Sequence, residues 1–265
     1  MVPRRCGSVV GVTAYERFAD FYDEVMDDPG PRADRVARWI EAFRPGADSL
    51  LELGAGTGSL LARLPGIPSL TGLERSPAML AIARSKVPGA RLLEGDIASC
   101  DLGRRFDVVC CVFDTLNHLP TFEDWCSAFA AAHAHLEDGG LFVFDVNTVG
   151  ELRRLGDEPP WVQDFERGTA IIDVTAAGVG DSSVDSVWDI RVFEQVAGGR
   201  YQLHQERIPE LAVPLARIRS ALAYGFEILT EVDDDGAPPT DDSVKAHFAC
   251  RRRSKQPGAT DGPPG

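Results

Sequence analysis

The chain has 265 residues, of which 44% are hydrophobic and 26% charged. That suffices for one α/β domain with an insertion, or for two small domains. The formal net charge of −14 repels phosphate backbones, which argues against nucleic acid as partner or acceptor and mildly favours a cationic ligand such as a sulfonium or an ammonium. No run is apolar for long enough to cross a membrane, and the short apolar run of the opening MVPRRCGSVVGV does not make a signal peptide, so a cytoplasmic protein with no membrane partner is expected.

Tyr15, Phe18, Ala19, Tyr22 and Met26 fall on one face of a helix expected over Thr13 to Met26, which the stretch Asp27 to Asp34 breaks. Val36, Trp39, Ile40 and Phe43 stripe a second helix that stops at Pro45-Gly46. Residues 1–46 thus read as a helical lid segment. Strands are then expected at Ser49–Leu53, Ser69–Leu73, Arg91–Glu94, Phe106–Phe113 and Leu141–Val146. Helices fall between them: Ser59 to Leu64, one capped by Ser76 ahead of Pro77, and one striped by Trp125, Phe129, Ala132 and Leu136 that Gly139-Gly140 ends. Such alternation predicts a Rossmann-like, doubly wound, mostly parallel sheet.

The pattern changes after Thr148. A short helix near Glu151 to Leu155 precedes three strands, at Thr169–Thr175, Val184–Val196 and Arg200–Ile208, joined by turn-like segments. These predict an antiparallel β insertion over 149–209. A helix (Leu215 to Tyr224) and strands at Phe226–Val232 and Val244–Arg251 return the chain to the core, which comprises 47–148 and 210–253 and is expected to hold seven strands. The tail 254–265 lacks apolar residues and is expected to be disordered. The six cysteines (Cys6, Cys100, Cys110, Cys111, Cys126 and Cys250) show neither a CxxC pair nor metal-ligand spacing, so no metal site and no disulfide framework is expected. Cys110 and Cys111, adjacent in an apolar strand, should point to opposite faces as buried thiols.

The central signal is Glu52-Leu53-Gly54-Ala55-Gly56-Thr57-Gly58, where the first strand turns toward a helix. Glycines there admit a ligand close to the backbone, and free N–H groups suit an anionic moiety. The dinucleotide pattern would need a third glycine at position 59, which is Ser59, so the spacing departs from the nicotinamide fingerprint. No lysine follows, which excludes a P-loop. Glu74, twenty residues after Gly54, stands where a carboxylate can accept both hydroxyls of a ribose. Asp96 and Ile97 close the third strand, placed to meet an adenine.

In order and spacing, ELGAGTG (Glu52 to Gly58), GLERSPAML (Gly72 to Leu80), EGDI (Glu94 to Ile97), FDVVCCVFDTLNHL (Phe106 to Leu119) and GGLFVFDVN (Gly139 to Asn147) resemble class I S-adenosylmethionine-dependent methyltransferases. The resemblance implies that Gly54, Gly56 and nearby backbone hold the methionine part of the cofactor, Glu74 the ribose, and Asp96 with Ile97 the adenine. Phe113 would lie near cofactor and acceptor. The segment of Tyr15, Phe18 and Tyr22 resembles a helix that closes over the cofactor in small-molecule members, and Tyr22 or Tyr15 would cover the sulfonium. Within the same motifs Glu52, Ala55, Gly58, Arg75 and Met79 complete the expected cofactor set. Ordinary packing on an apolar stripe accounts equally well for Tyr15 and Tyr22.

Methyl transfer asks the protein to align a neutral amine or an ionised hydroxyl with the donor and to take up a proton. His118 is the first candidate base, and helix capping or packing explains it about as well. Asp114, Asn117, Asp145 and Asn147, at the ends of strands four and five, and Tyr15 are expected at the acceptor. The insertion also offers Tyr201, His204 and Glu206; alternation puts His204 and Glu206 on one strand face, which would bind the acceptor if it looks into the cleft and can equally face solvent or a partner subunit of a homodimer. His204 is the second candidate base. The layout is similar to amino-sugar N-methyltransferases of natural-product pathways, which makes a metal-free N-methyltransferase for a small amine the leading expectation. An O- or C-methyltransferase for a hydroxylated molecule, a non-catalytic S-adenosylmethionine-binding protein and, less consistently with Ser59, a nicotinamide oxidoreductase are the alternatives.

Overall fold

The computed structural model describes residues 15–26, 28–64 and 66–254; the expectations for the opening segment and the tail after Ser254 lie outside them. In chain order the elements are α1 (Tyr22–Val25), α2 (Gly30–Phe43), β1 (Ser49–Leu53), β2 (Ser69–Glu74), α3 (Pro77–Lys86), β3 (Arg91–Glu94), β4 (Phe106–Cys111), α4 (Phe122–Ala134) and β5 (Leu136–Asn147). There follow α5 (Val149–Asp157), β6 (Trp161–Phe165), β7 (Gly168–Gly178), β8 (Val184–Val196), β9 (Arg200–Ala212), α6 (Leu215–Leu222), β10 (Phe226–Val232) and β11 (Lys245–Arg252). Seven strands form one sheet in the order β10-β11-β5-β4-β1-β2-β3. All neighbours are parallel except β11, which runs antiparallel to both β5 and β10. The order reverses between β1 and β4, and in such sheets ligands bind outside the carboxyl ends of the strands at that reversal.

The parallel strands are apolar along their length because helices cover both faces. Leu51, Val109, Cys111, Phe142 and Phe144 pack with Trp125 and Phe129 of α4 on one side. Leu50, Val108, Cys110 and Val143 pack with Val36 and Ile40 of α2 on the other. Cys110 and Cys111 are both fully buried, one in each layer, and burial pushes both thiols well above their ordinary range. Phe144 and Phe248, register partners on β5 and β11, stack 4.7 Å apart. Three helices open on side-chain caps that accept a backbone N–H three residues on: Ser76 from Met79, Thr121 from Asp124 and Thr148 from Glu151.

A second sheet, β6-β7-β8-β9, is antiparallel throughout. Ile172, Val174, Ile190, Val192 and Ile208 on its inner face pack against Phe18, Phe21 and Val25. β9 runs to Ala212, three residues past the expected end of the insertion. β6 was not anticipated: it is short, Trp161 and Val162 are exposed, and its alternation is weak.

Three local expectations are corrected. The segment 15–26 is a 3-10 turn (Ala19–Phe21) followed by the four-residue α1, with Tyr15 at φ 71°. The backbone N–H groups of Glu16, Arg17 and Phe18 all donate to the Glu206 carboxylate, at 3.0–3.1 Å, so a distant side chain replaces the partners a regular helix would give them. Ser59 to Leu64 forms only a 3-10 turn, Leu61–Arg63, too short to propagate a helix. Gly139-Gly140 does not end α4. The helix stops at Ala134, and Gly139, at φ 69°, lies inside β5 where its pairing with β4 shifts register.

Candidate active site

A cleft of about 420 Å³ opens at the carboxyl edge of the large sheet, with the second sheet and residues 15–26 as its other walls. Its first half is built by backbone. Gly54 and Ala55 both donate to the Leu73 carbonyl (2.8 and 2.9 Å), which docks the loop after β1 on β2. Gly54 has φ 75°, and a Cβ there would stand 2.3 Å from the Thr115 side chain. Gly56 has φ 51° with nothing within 4 Å of its Cβ position, so the loop faces open space there. Glu74 accepts from the N–H of Gly56 (2.8 Å) and of Ser76 (2.7 Å). Burial lifts its carboxyl above the ordinary value, while those donors oppose the rise. Glu52 is buried behind the loop; desolvation, then the Glu74 charge, push it well above the carboxylate range. Its Oε2 has no hydrogen-bond partner although the residue lines the cleft. Ala55, Arg75, Met79, Asp96, Ile97 and Phe113 complete this wall.

After β4 the chain turns sharply. Phe113 (φ 61°) and Asp114 (φ 59°) are consecutive left-handed residues that are not glycine, a strained arrangement found where surrounding contacts over-determine it. Those contacts are visible. The Asp114 N–H donates to Asp145 Oδ1 (2.9 Å), Thr115 Oγ1 donates to the Val112 carbonyl (2.7 Å), and Lys245 Nζ donates to Asp114 and to Asn147 Oδ1 (2.6 Å). Lys245 and Arg32 hold the Asp114 carboxyl below its ordinary value against the opposing cost of burial.

The second half is made by side chains. Tyr15 Oη and His118 Nε2 are 3.0 Å apart, and His118 Nδ1 lies 3.8 Å from Glu210 Oε1. Burial lowers the His118 value below that of an ordinary imidazole. Burial, then the neighbouring Asp114 charge, push Glu210 up to about 8. Asn147 Nδ2 donates to Glu210 Oε2 (3.2 Å). Trp188, Ile172, Val174, Ile190 and Ile208 of the second sheet face this group across the cleft. Desolvation also holds Tyr15 and Tyr22 well above the ordinary phenol value, and their rings meet edge to face at 5.6 Å.

Residues 15–26 form a strap between the halves. One end is anchored by Glu206 of β9. Ser76 Oγ donates to Glu16 Oε1 (2.9 Å), and Asp23 accepts from Thr57 Oγ1 (2.7 Å), Ser59 Oγ (3.1 Å) and Lys86. The strap therefore touches the glycine loop, the start of α3 and the second sheet.

Several residues expected at the site lie elsewhere. Gly58 packs under α3, where a Cβ would meet Val87 and Ala83. Asn117 is wholly buried, bonded to the Asn147 backbone on both sides and to the Leu211 carbonyl, so it joins strand ends and does not line the cleft. Asp145 supports Asp114 from behind. Tyr201 is 60% exposed on the opposite face of β9. His204 bonds Glu194 (2.9 Å) and packs on Phe21, and Glu206 is occupied by the strap. Alternation groups His204 and Glu206 on one face of β9, and it is Ile208 and Glu210, further along that same face, that reach the cleft. Glu210, Lys245, Arg32, Trp188 and Asp23 were not anticipated. For Glu210 the signal existed, in an alternation that continues past Ile208; for the other four no local pattern marks them.

Comparison with known proteins agrees with this geometry. Residues 50–140 match a family model described as a methyltransferase domain. A dTDP-3-amino-3,4,6-trideoxy-alpha-D-glucopyranose N,N-dimethyltransferase from Streptomyces venezuelae is 35% identical over 132 residues, which is 48% of this chain and 56% of that protein; the chain thus spans about half the length of that curated relative. A dTDP-3-amino-3,6-dideoxy-alpha-D-glucopyranose N,N-dimethyltransferase from Streptomyces fradiae is 36% identical over 48% of this chain and 52% of its own length. Among solved structures, an S-adenosylmethionine-bound amino pentose methyltransferase from Micromonospora echinaspora is 30% identical, with a TM-score of 0.68 over 83% of this chain and 90% of that one. The chain belongs to the class I S-adenosylmethionine-dependent methyltransferases. A sugar N-methyltransferase from Streptoalloteichus shares the fold over 96% of this chain and 100% of its own, at 27% identity and a TM-score of 0.72.

Proposed function

We propose that the protein transfers a methyl group from S-adenosylmethionine to an amine nitrogen of a small molecule, and that the Tyr15–His118–Glu210 chain handles the proton. The observation that carries this reading is the buried Tyr15–His118 hydrogen bond of 3.0 Å, with Glu210 standing 3.8 Å from the other ring nitrogen, in the half of the cleft across from the glycine loop. The curated relatives named above are N,N-dimethyltransferases, which supports nitrogen over oxygen.

The first half of the cleft fits the cofactor. Its loop is open at Gly56, Glu52 Oε2 is a buried acceptor without a partner, and Glu74 has lone pairs left for a ribose diol after two backbone donors. Asp96, whose Oδ1 takes the Ala98 N–H at 2.9 Å and whose Oδ2 lies 3.9 Å from Arg75, beyond hydrogen-bond reach, has a lone pair of Oδ2 left for an adenine amino group beside Ile97. Tyr22, Arg75, Met79 and Phe113 enclose the remainder. When bound, S-adenosylmethionine supplies a methyl carbon activated by its sulfonium.

His118, kept neutral by burial, accepts a hydrogen bond from the Tyr15 hydroxyl at Nε2, which leaves its own proton on Nδ1, 3.8 Å from Glu210. The Tyr15 oxygen then turns lone pairs to the cleft, where it accepts an N–H of the acceptor and aims the nitrogen. As the nitrogen lone pair forms the new C–N bond, the C–S bond breaks and sulfur keeps its electrons. The surplus N–H proton passes to Tyr15 Oη as the Tyr15 proton moves to His118 Nε2, and the imidazolium so formed returns its proton to solvent after product release. Fixing the partners at reacting distance is the larger contribution, since the donor is already activated. Asp114, Lys245 and Asn147 set the turn that carries His118 and form the floor of the acceptor half.

The test is to incubate purified protein with methyl-labelled donor and a panel of amines and phenols, and to identify products by mass spectrometry. N-methylated products are expected, with S-adenosylhomocysteine binding and NADH not binding by calorimetry. Products methylated only on oxygen would overturn the assignment to nitrogen.

A further inference from the structure

The acceptor half also restricts what can carry the nitrogen. The cations that line the cleft among the described residues are Arg32, Arg75 and Lys245, and each faces a carboxylate. Lys245 donates to Asp114 and Asn147. Arg32 lies 3.7 Å from the buried Asp145 and stacks over Phe113 at 5.0 Å. Arg75, on the cofactor side, lies 3.9 Å from Asp96. The acidic groups of the acceptor half outnumber its cations: Glu210, Glu151 and Glu158 line it along with Asp114. Arg154, which does not line the cleft, bridges Glu151 and Glu158 from outside. Recognition of a phosphate or diphosphate calls for guanidinium or ammonium donors that are not already committed to a carboxylate. To supply one here, Lys245 would have to leave Asp114, baring a buried carboxylate at the strained turn. The rest of the wall is apolar: Trp188, Ile190, Val174 and Ile208, with Trp161 at the rim.

On the amine reading above, we propose that the methyl acceptor is an amine borne on an apolar, unphosphorylated body, with Glu210 meeting the nitrogen and the Trp188 wall taking the body. The acceptor then differs in class from the dTDP-linked sugars for which the curated relatives are named; Glu210, Trp188 and Lys245, on which the inference rests, lie outside the 50–140 segment that matches the family model.

The experiment uses the full chain saturated with S-adenosylhomocysteine for calorimetry, and with methyl-labelled donor for turnover. Thymidine diphosphate should give no binding heat. Phosphate-free arylalkylamines such as tryptamine should be methylated at least tenfold more efficiently, in kcat/KM, than a dTDP-linked 3-amino sugar. Glu210→Gln should raise KM for the best amine about tenfold or more while leaving S-adenosylhomocysteine affinity unchanged. Binding of thymidine diphosphate, or transfer confined to the dTDP-linked amine, overturns this inference alone. Absence of transfer to every amine, with S-adenosylhomocysteine still bound, sinks the amine reading and this inference with it.

Discussion

The two halves of the cleft are built on different principles. The half proposed for the cofactor is made by the ends of parallel strands: Gly54 follows β1, Glu74 ends β2, Asp96 follows β3, and backbone N–H groups fix the Glu74 carboxylate. The acceptor half is made by side chains that converge from four places, namely Tyr15 of the strap, His118 after β4, Glu210 of β9 and Lys245 of β11. Strand ends in a doubly wound sheet come together because the sheet exists. Side chains on an added antiparallel sheet come together only if that sheet is docked correctly, so the second half depends on the strap and on β9 in a way the first does not.

Substitutions should separate the halves. The largest effect is expected for His118→Ala, which should lower kcat about 10²-fold or more, as loss of a proton acceptor does, while S-adenosylhomocysteine affinity by calorimetry stays unchanged. Because burial lowers the His118 value below 6.5, the imidazole stays neutral to lower pH than usual. The acid limb of wild-type kcat that belongs to it should therefore lie below pH 6.5, and the variant should lose that limb. Glu74→Ala is the reverse case. On the proposed reading it removes the acceptor of two ribose hydroxyls, about 1.5–3 kcal/mol for each such bond, so S-adenosylhomocysteine affinity should fall about 100-fold or more, with a smaller effect on thermal stability.

Smaller effects probe the dependence of the acceptor half on docking. Glu206→Gln weakens the acceptor of three backbone N–H groups and should cost about 1–3 kcal/mol, read as faster proteolysis within 15–26 and a raised KM for the acceptor. The last is a stability change in Glu210→Gln that depends on pH. The folded-state value of Glu210, about 8, lies above the ordinary 4.5. Its proton therefore stabilises the fold fully below pH 4.5, and that stability is lost as pH rises through 8. The neutral variant should match wild type at low pH and exceed it at pH 8, by about 2–4 °C in Tm for each kcal/mol recovered. A variant that melts lower than wild type at pH 8 would refute the buried, proton-holding Glu210.

Much of the cofactor half was legible because its signals are local. ELGAGTG, Glu74 and Asp96 sit at turns whose chemistry is written within a few residues of each strand end. The alternation of strands and helices likewise gave the sheet, and Ser76-Pro77 gave the start of α3. What failed was long-range. Nothing near Tyr15 says that Glu206, some 190 residues away, will take the backbone donors of a helix. Nothing near Lys245 says that β11 will carry it to Asp114. In β9 the alternation groups His204 with Glu206 but leaves open which way their face looks and how far along it the cleft lies, because where a strand meets a cleft is set by how two sheets pack, and that is absent from the periodicity of either.

The strap also has a meaning for anyone who would re-engineer the molecule. Its backbone near Glu16 belongs to the second sheet through Glu206, its Tyr15 belongs with His118, and its Asp23 belongs to the glycine loop through Thr57 and Lys86. The second sheet is therefore not a cassette that can be exchanged alone. A chimera that takes residues 149–212 from another methyltransferase inherits a foreign surface for the strap, and must import residues 15–26 with it. Even then the new strap has to fit the old loop at Asp23, and that joint, remote from both sequence cuts, decides whether the hybrid has one working cleft or two unrelated halves.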